Sequence, residues 1–121
     1  MSPLAEAVYE ILRARLARPD PRITYAELAA ALRDTSEEFE HINHRSRELY
    51  AVLGEVDQAC NRLRLPSLAA LVVRADTRRP GEAYYLGRNP PLRTKGDKIS
   101  AWRKEFEAAS KATYPPTTAG T

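Results

Sequence analysis

The sequence predicts an α+β domain in which two helices are followed by a two-stranded hairpin. Three observations carry this. Ile23 to Ala29 joins a short β-prone start to a helix that Thr24 and Glu27 can cap reciprocally. Ser46 to Leu65 places Leu49, Val52, Leu53, Val56, Cys60 and Leu63 at spacings of 3, 1, 3, 4 and 3, a continuous apolar stripe. Leu68 to Val73 is an apolar run of strand length, and Pro80-Gly81 marks a turn before an aromatic segment, Glu82 to Leu86. Helix, helix, hairpin in this order is the layout of a winged helix-turn-helix, here with extra N- and C-terminal helices.

In chain order, Leu4, Ala7, Val8, Ile11, Leu12 and Leu16 form one face of a first helix, with Pro3 in its opening turn. Pro19-Asp20-Pro21 ends it. A very short strand, Arg22 to Thr24, leads into a helix from Tyr25 to Arg33, whose inner side carries Tyr25, Leu28, Ala29 and Leu32. The connection from Asp34 to Arg45 is longer than the usual turn of such motifs. In it, Thr35 and Glu38 could cap one turn that points Phe39 inward. Ser46 to Leu65 is the expected recognition helix, and Leu65-Pro66 stops it. After an irregular stretch, 87–96, Ile99, Trp102, Phe106 and Ala109 give a last helix, about Asp97 to Ala112, a packed face. Residues 1–113 are expected to form one domain and 114–121 a flexible tail.

At 121 residues the chain can bury a core without metal or disulfide help. Its longest apolar run is far too short to span a bilayer, and the N-terminus lacks the basic and apolar blocks of a secretory signal. A single cysteine fits a reducing compartment, so a cytoplasmic location and no membrane partner are expected. Net charge is only +3, but Arg62 to Lys98 holds nine basic and three acidic residues, and the remainder ten and thirteen. That asymmetry points a basic side toward a polyanion.

The candidate DNA contacts follow from this layout. Arg45, Arg47, Asn61, Arg62 and Arg64 border or face outward from the recognition helix, and Arg74, Arg78 and Arg79 sit on the hairpin tip, where guanidiniums can reach phosphates. Against DNA stand Glu48, Glu55 and Asp57 on the same helix, each of which would repel phosphates. They favour a rival reading, a protein-interaction module on the same fold. His41, His44 and Glu48 are spaced like ligands on a helix, but no fourth ligand is in reach, so no metal is expected. Cys60 falls on the apolar stripe without a neighbouring base, a structural rather than nucleophilic thiol. With no phosphate loop, catalytic triad or carboxylate pair, neither enzymatic activity nor a cofactor is expected.

The stretches Ile23 to Ala29, Val52-Leu53-Gly54, Val72 to Asp76 and Tyr84-Tyr85 resemble the winged-helix DNA-binding domain of the alkylguanine-DNA alkyltransferases. The likeness covers about half of the chain and implies duplex DNA as the partner. Where that family carries Pro-Cys-His-Arg this chain has Ser67 to Leu71, so the alkyl-accepting cysteine is absent. Ala51 stands where the family inserts an arginine into the base stack. The transferase chemistry is therefore not implied. Leu65 to Val73, Pro80 to Tyr84 and Trp102 are also similar to small bacterial proteins of no known activity. The expectation is a non-catalytic DNA-binding protein, as a homodimer or with a protein partner.

Overall fold

Ser2 sets the first element. Its hydroxyl accepts from the Ala5 N–H, Pro3 follows at the first helical position, and helix α1 runs Pro3–Arg15. The structure, a computed structural model, describes residues 1–86, 92 and 94–117. Strand β1 (Ile23–Thr24) feeds helix α2 (Tyr25–Thr35) through the expected capping box: Glu27 N–H donates to Thr24 Oγ1 at 3.1 Å, and Thr24 N–H to Glu27 Oε1 at 3.0 Å. Helix α3 is Arg47–Arg62 and buries Leu49, Val52, Leu53, Val56, Ala59 and Cys60. The last helix, α5 (Lys95–Lys111), starts two residues earlier than its sequence pattern suggests, because Thr94 caps it through the Asp97 N–H.

The long connection between α2 and α3 is part of the core. Ser36, not Thr35, caps a 3-10 turn over Glu37–Phe39, since the Thr35 hydroxyl is already donated back to the Ala31 carbonyl. Phe39 and Ile42 are buried, and Arg33 holds the Ile42 carbonyl at 2.6 Å. The length buys two apolar anchors that a three-residue turn lacks room for.

The expected hairpin does not form. Ser67 accepts from the Ala69 N–H and starts a 3-10 turn at Leu68–Leu71. Only Val72–Val73 is strand (β2), and it pairs in parallel with β1, Ile23 opposite Val72 and Thr24 opposite Val73. The second half of the anticipated wing, Glu82–Leu86, is a short helix, α4. The reason is local. Pro80 has no N–H to give a ladder, the Gly81 N–H is taken by the Tyr25 hydroxyl at 2.9 Å, and the Gly81 carbonyl accepts from Tyr84 to begin a helical turn. The fold class is α+β, helix-rich with one two-stranded parallel sheet among the described residues.

The 68–73 segment lies between two apolar layers. On one side α1, α2 and α3 close over Leu68, Leu71 and Val72; on the other Tyr85, Trp102 and Phe106 close over Ala70 and Val73. The Trp102 indole N–H donates to the Ala70 carbonyl at 2.8 Å, so α5 is fixed by packing and by a buried hydrogen bond. The tail is also not as expected. Tyr114 is 3% exposed and its hydroxyl donates to the Pro66 carbonyl at 2.6 Å, so the chain remains docked as far as Thr117. Residues 118–121 of the expected tail lie outside the described residues. Among the described residues no helix is long and apolar enough to cross a membrane.

Candidate nucleic-acid interface

Helix α3 is packed along one side by its apolar stripe, and its 3.6-residue period leaves Arg47, Ala51, Gly54, Gln58, Asn61 and Arg62 on a single outer strip. All six are exposed. The acidic residues that weighed against DNA lie off this strip. Glu55 accepts from the Ser2 N–H at 3.2 Å and the Ser2 hydroxyl at 2.9 Å, drawing its carboxylate toward the start of α1. Glu48 meets the His41 ring at 3.2 Å. Asp57 is on the other flank, where it lines a cleft together with Gly54, Gln58 and Asn61 of the strip. The outer strip therefore reads arginine, alanine, glycine, two amides and arginine. A Cβ added at Gly54 would meet nothing within 4 Å, so a bulky surface can come close to the helix backbone there.

The two ends of the strip are built differently. Arg45 and Arg47 flank Ser46, which precedes the helix and accepts from the Asn43 N–H. At the other end the Leu65 N–H reaches back to the Cys60 carbonyl at 3.0 Å, while Arg64 takes a left-handed φ of 59°. This is a Schellman-type stop made with arginine in place of the usual glycine, which costs about 1 kcal/mol. Arg62 and Arg64 are thrown outward on either side of that stop and are exposed.

The basic loop after β2 is closed on itself. Arg74 N–H donates to the Arg79 carbonyl at 2.8 Å and Arg78 N–H to the Arg74 carbonyl at 2.9 Å, with Arg78 at a φ of 57°. Two of its guanidiniums already face carboxylates. Arg74 grips Asp76 through Nε and Nη2 at 3.0 and 2.9 Å, and Arg78 lies 3.7 Å from Asp20. Arg22 donates to Asp20 as well, and those bonds hold the Asp20 carboxyl down at about 2. Arg79 is half-buried. Instead of projecting as a hairpin tip, the loop rests against the body through the Gly81–Tyr25 bond, and Tyr25 in turn stacks on Tyr50 of α3, ring centroids 5.4 Å apart.

One feature was not visible in the sequence. Between α3, Tyr25 and the α4–α5 side lies a cleft of about 550 Å³, with Leu53, Leu65 and Ala69 contributing apolar lining and Tyr25, Tyr50 and Tyr84 aromatic walls. The Tyr84 hydroxyl donates to Glu105 within it. Tyrosines at 25, 50 and 84 carry no shared period, so only the fold brings them together. Cys60 is fully buried, and desolvation pushes its thiol pKa up, away from the reactive thiolate. His41 and Glu48 do meet, whereas His44 contributes its carbonyl to the Tyr50 hydroxyl. Comparisons with family models, with curated proteins and with solved structures found no match to the chain.

Proposed function

We propose that this protein binds duplex DNA without catalysing a reaction, presenting the outer strip of α3 to the major groove. The observation that carries the reading is that His41 and Ser2 draw Glu48 and Glu55 aside, which leaves amides in the strip and arginines at its ends. An α-helix fits the major groove, Gln and Asn side chains pair bidentately with adenine, and terminal arginines suit the flanking phosphates. Arg47 and Arg62 are fifteen residues apart, roughly 22 Å along the axis, so they would meet phosphates well separated on the duplex. In this reading α2, the connection and α3 act as the helix-turn-helix, and a closed basic loop takes the place of the wing. Arg45 and Arg64 add charge at the two ends of the strip, and Arg79 lies on the closed loop. Arg74 and Arg78, facing Asp76 and Asp20, add less. One helix gives a small footprint, so a homodimer is the form suited to site-level affinity.

Titration of mixed-sequence duplex across a salt series tests this. Arg47→Ala/Arg62→Ala is expected to flatten the slope of log K against log salt by nearly two, about 0.9 for each lost phosphate contact. Arg78→Ala should change it by less than one contact's worth. No binding by the unaltered protein at low salt, or an unchanged slope in the double variant, would remove α3 from DNA recognition. The cleft favours a second reading, an interaction module that receives side chains of another protein. In that case duplex binding is absent at every salt concentration.

A further inference from the structure

The segment after α5 is bound to α1 in the manner of a ligand. The Tyr9 hydroxyl donates to the Pro115 carbonyl at 2.6 Å, Arg13 Nε to the Tyr114 carbonyl at 2.8 Å, and the Thr117 N–H donates to Glu10 Oε1 at 2.6 Å. All three bonds read the main chain. The segment's own side chains contribute one anchor, the buried Tyr114 ring with its hydroxyl on the Pro66 carbonyl. Pro115 and Pro116 are exposed. They bury little, and what they add is a fixed φ that holds the segment extended before it docks. Arg13 and Glu10 also pair with each other at 3.3 Å, one turn apart on α1, which helps to hold both side chains in place. The hinge is simple: α5 ends at Lys111, the capping Ala112 is already extended with ψ 155°, and Thr113 is exposed.

We propose that Tyr9, Glu10 and Arg13 of α1, with the Tyr114 pocket beside Pro66, form a groove for extended aromatic–Pro–Pro peptides. The chain's own Tyr114–Thr117 occupies that groove as an exchangeable internal ligand. The partner it fits is a proline-rich segment of another protein with an aromatic residue just ahead of the prolines. Such a segment offers the same two carbonyls, the same ring and the same downstream N–H, so it can replace every bond it displaces. The internal copy acts as a competitor, because a groove that is open for only a fraction of the time binds more weakly by that fraction. This inference is independent of DNA binding, which uses α3.

The probe is a fluorescently labelled peptide, Ala-Thr-Tyr-Pro-Pro-Thr, titrated by anisotropy into the full chain and into its Tyr114→Ala variant. The variant is expected to bind at least tenfold more tightly than the unaltered chain. Adding Tyr9→Phe to the variant, or replacing the peptide's tyrosine by alanine, should weaken that binding. A folded Tyr114→Ala protein that binds no better than the unaltered chain overturns the proposal. Hydrogen exchange in the unaltered chain supplies a measurement that does not depend on how the variant folds. The Thr117 amide should exchange through a local opening, well ahead of the α3 core amides. Exchange of Thr117 only by global unfolding would mean the groove never opens, and would overturn the proposal equally.

Discussion

Trp102→Phe isolates the hydrogen bond that fixes α5. The indole is 6% exposed, its N–H donates to the Ala70 carbonyl at 2.8 Å, and its ring meets Phe106 at 5.4 Å between centroids. Phenylalanine keeps a ring against Phe106 but loses the donor and one ring's volume. The Ala70 residue is fully buried, so its carbonyl is left without that partner, a cost of about 1–3 kcal/mol, to which the missing ring atoms add about 1 kcal/mol. The total is about 2–4 kcal/mol. Trp102→Ala removes the packing as well and should reach about 3–5 kcal/mol, bounded because water entering the larger cavity can serve the carbonyl. Both variants lose the only tryptophan, so urea unfolding is followed by far-UV circular dichroism and compared at equal m. If Trp102→Phe falls within about 0.5 kcal/mol of the unaltered protein, the Ala70 bond carries no net stability and this reasoning fails. If Trp102→Ala is also neutral, α5 is not held by this face at all.

Ending the chain after Thr113 should cost about 3 kcal/mol or more relative to a chain ending at Thr117, because Tyr114 fills a buried site; a loss of unfolding free energy in urea below about 0.3 kcal/mol would refute it. The acid limb of stability should carry a contribution from Asp20. Its carboxyl is held at about 2 by the Arg22 hydrogen bonds, so its stabilising effect is complete above the ordinary carboxylate range and fades as pH falls through about 2. The side chain is 49% exposed, which keeps the effect small after screening by solvent. Asp20→Asn should therefore flatten the loss of stability between pH of about 4 and 2, and an unchanged acid limb would remove Asp20 from that account.

Helices α1, α2, α3 and α5 were legible because each repeats apolar residues at helical spacing, and α1, α2 and α5 also start at a side-chain cap. The burial of Cys60 and Trp102 followed from the same periods. The segment 68–73 was not legible. Every one of its residues is buried, and a run apolar on all sides has no period with which to separate a 3-10 turn from a strand. Ser67 held the missing signal, since its side chain caps Ala69, but a serine after proline reads equally well as a strand start. Glu82 to Leu86 misled through its tyrosines. Tyr84 and Tyr85 make an edge-on ring pair on a short helix, rather than facing opposite sides of a strand. Of the candidate site, the outward placing of Arg47, Asn61 and Arg62 was readable from the helical period. The destinations of Glu48 and Glu55 were not, because His41 and Ser2 are brought to them by the fold. Tyr114 was lost for the same reason: its pocket is assembled from α1, α3 and the 66–71 stretch, none of it adjacent in sequence.

The docking of Tyr114–Thr117 on α1 also orders events in time. Its hydrogen bonds join residues 101, 106 and 107 positions apart, so α1 is synthesised well before its partner segment. Until then Tyr9 and the rim of the Tyr114 pocket stay wet, while the α2 capping box and the α3 stripe can assemble from nearby residues. Closing so long a loop adds only about 0.6 kcal/mol per doubling of its length, so the final docking is delayed rather than prevented. Contacts that form after the folding barrier has been crossed barely affect the rate of folding and strongly affect the rate of unfolding. By that logic the C-terminal segment works as a latch: weakening it hastens the loss of the native state and leaves the route to it unchanged.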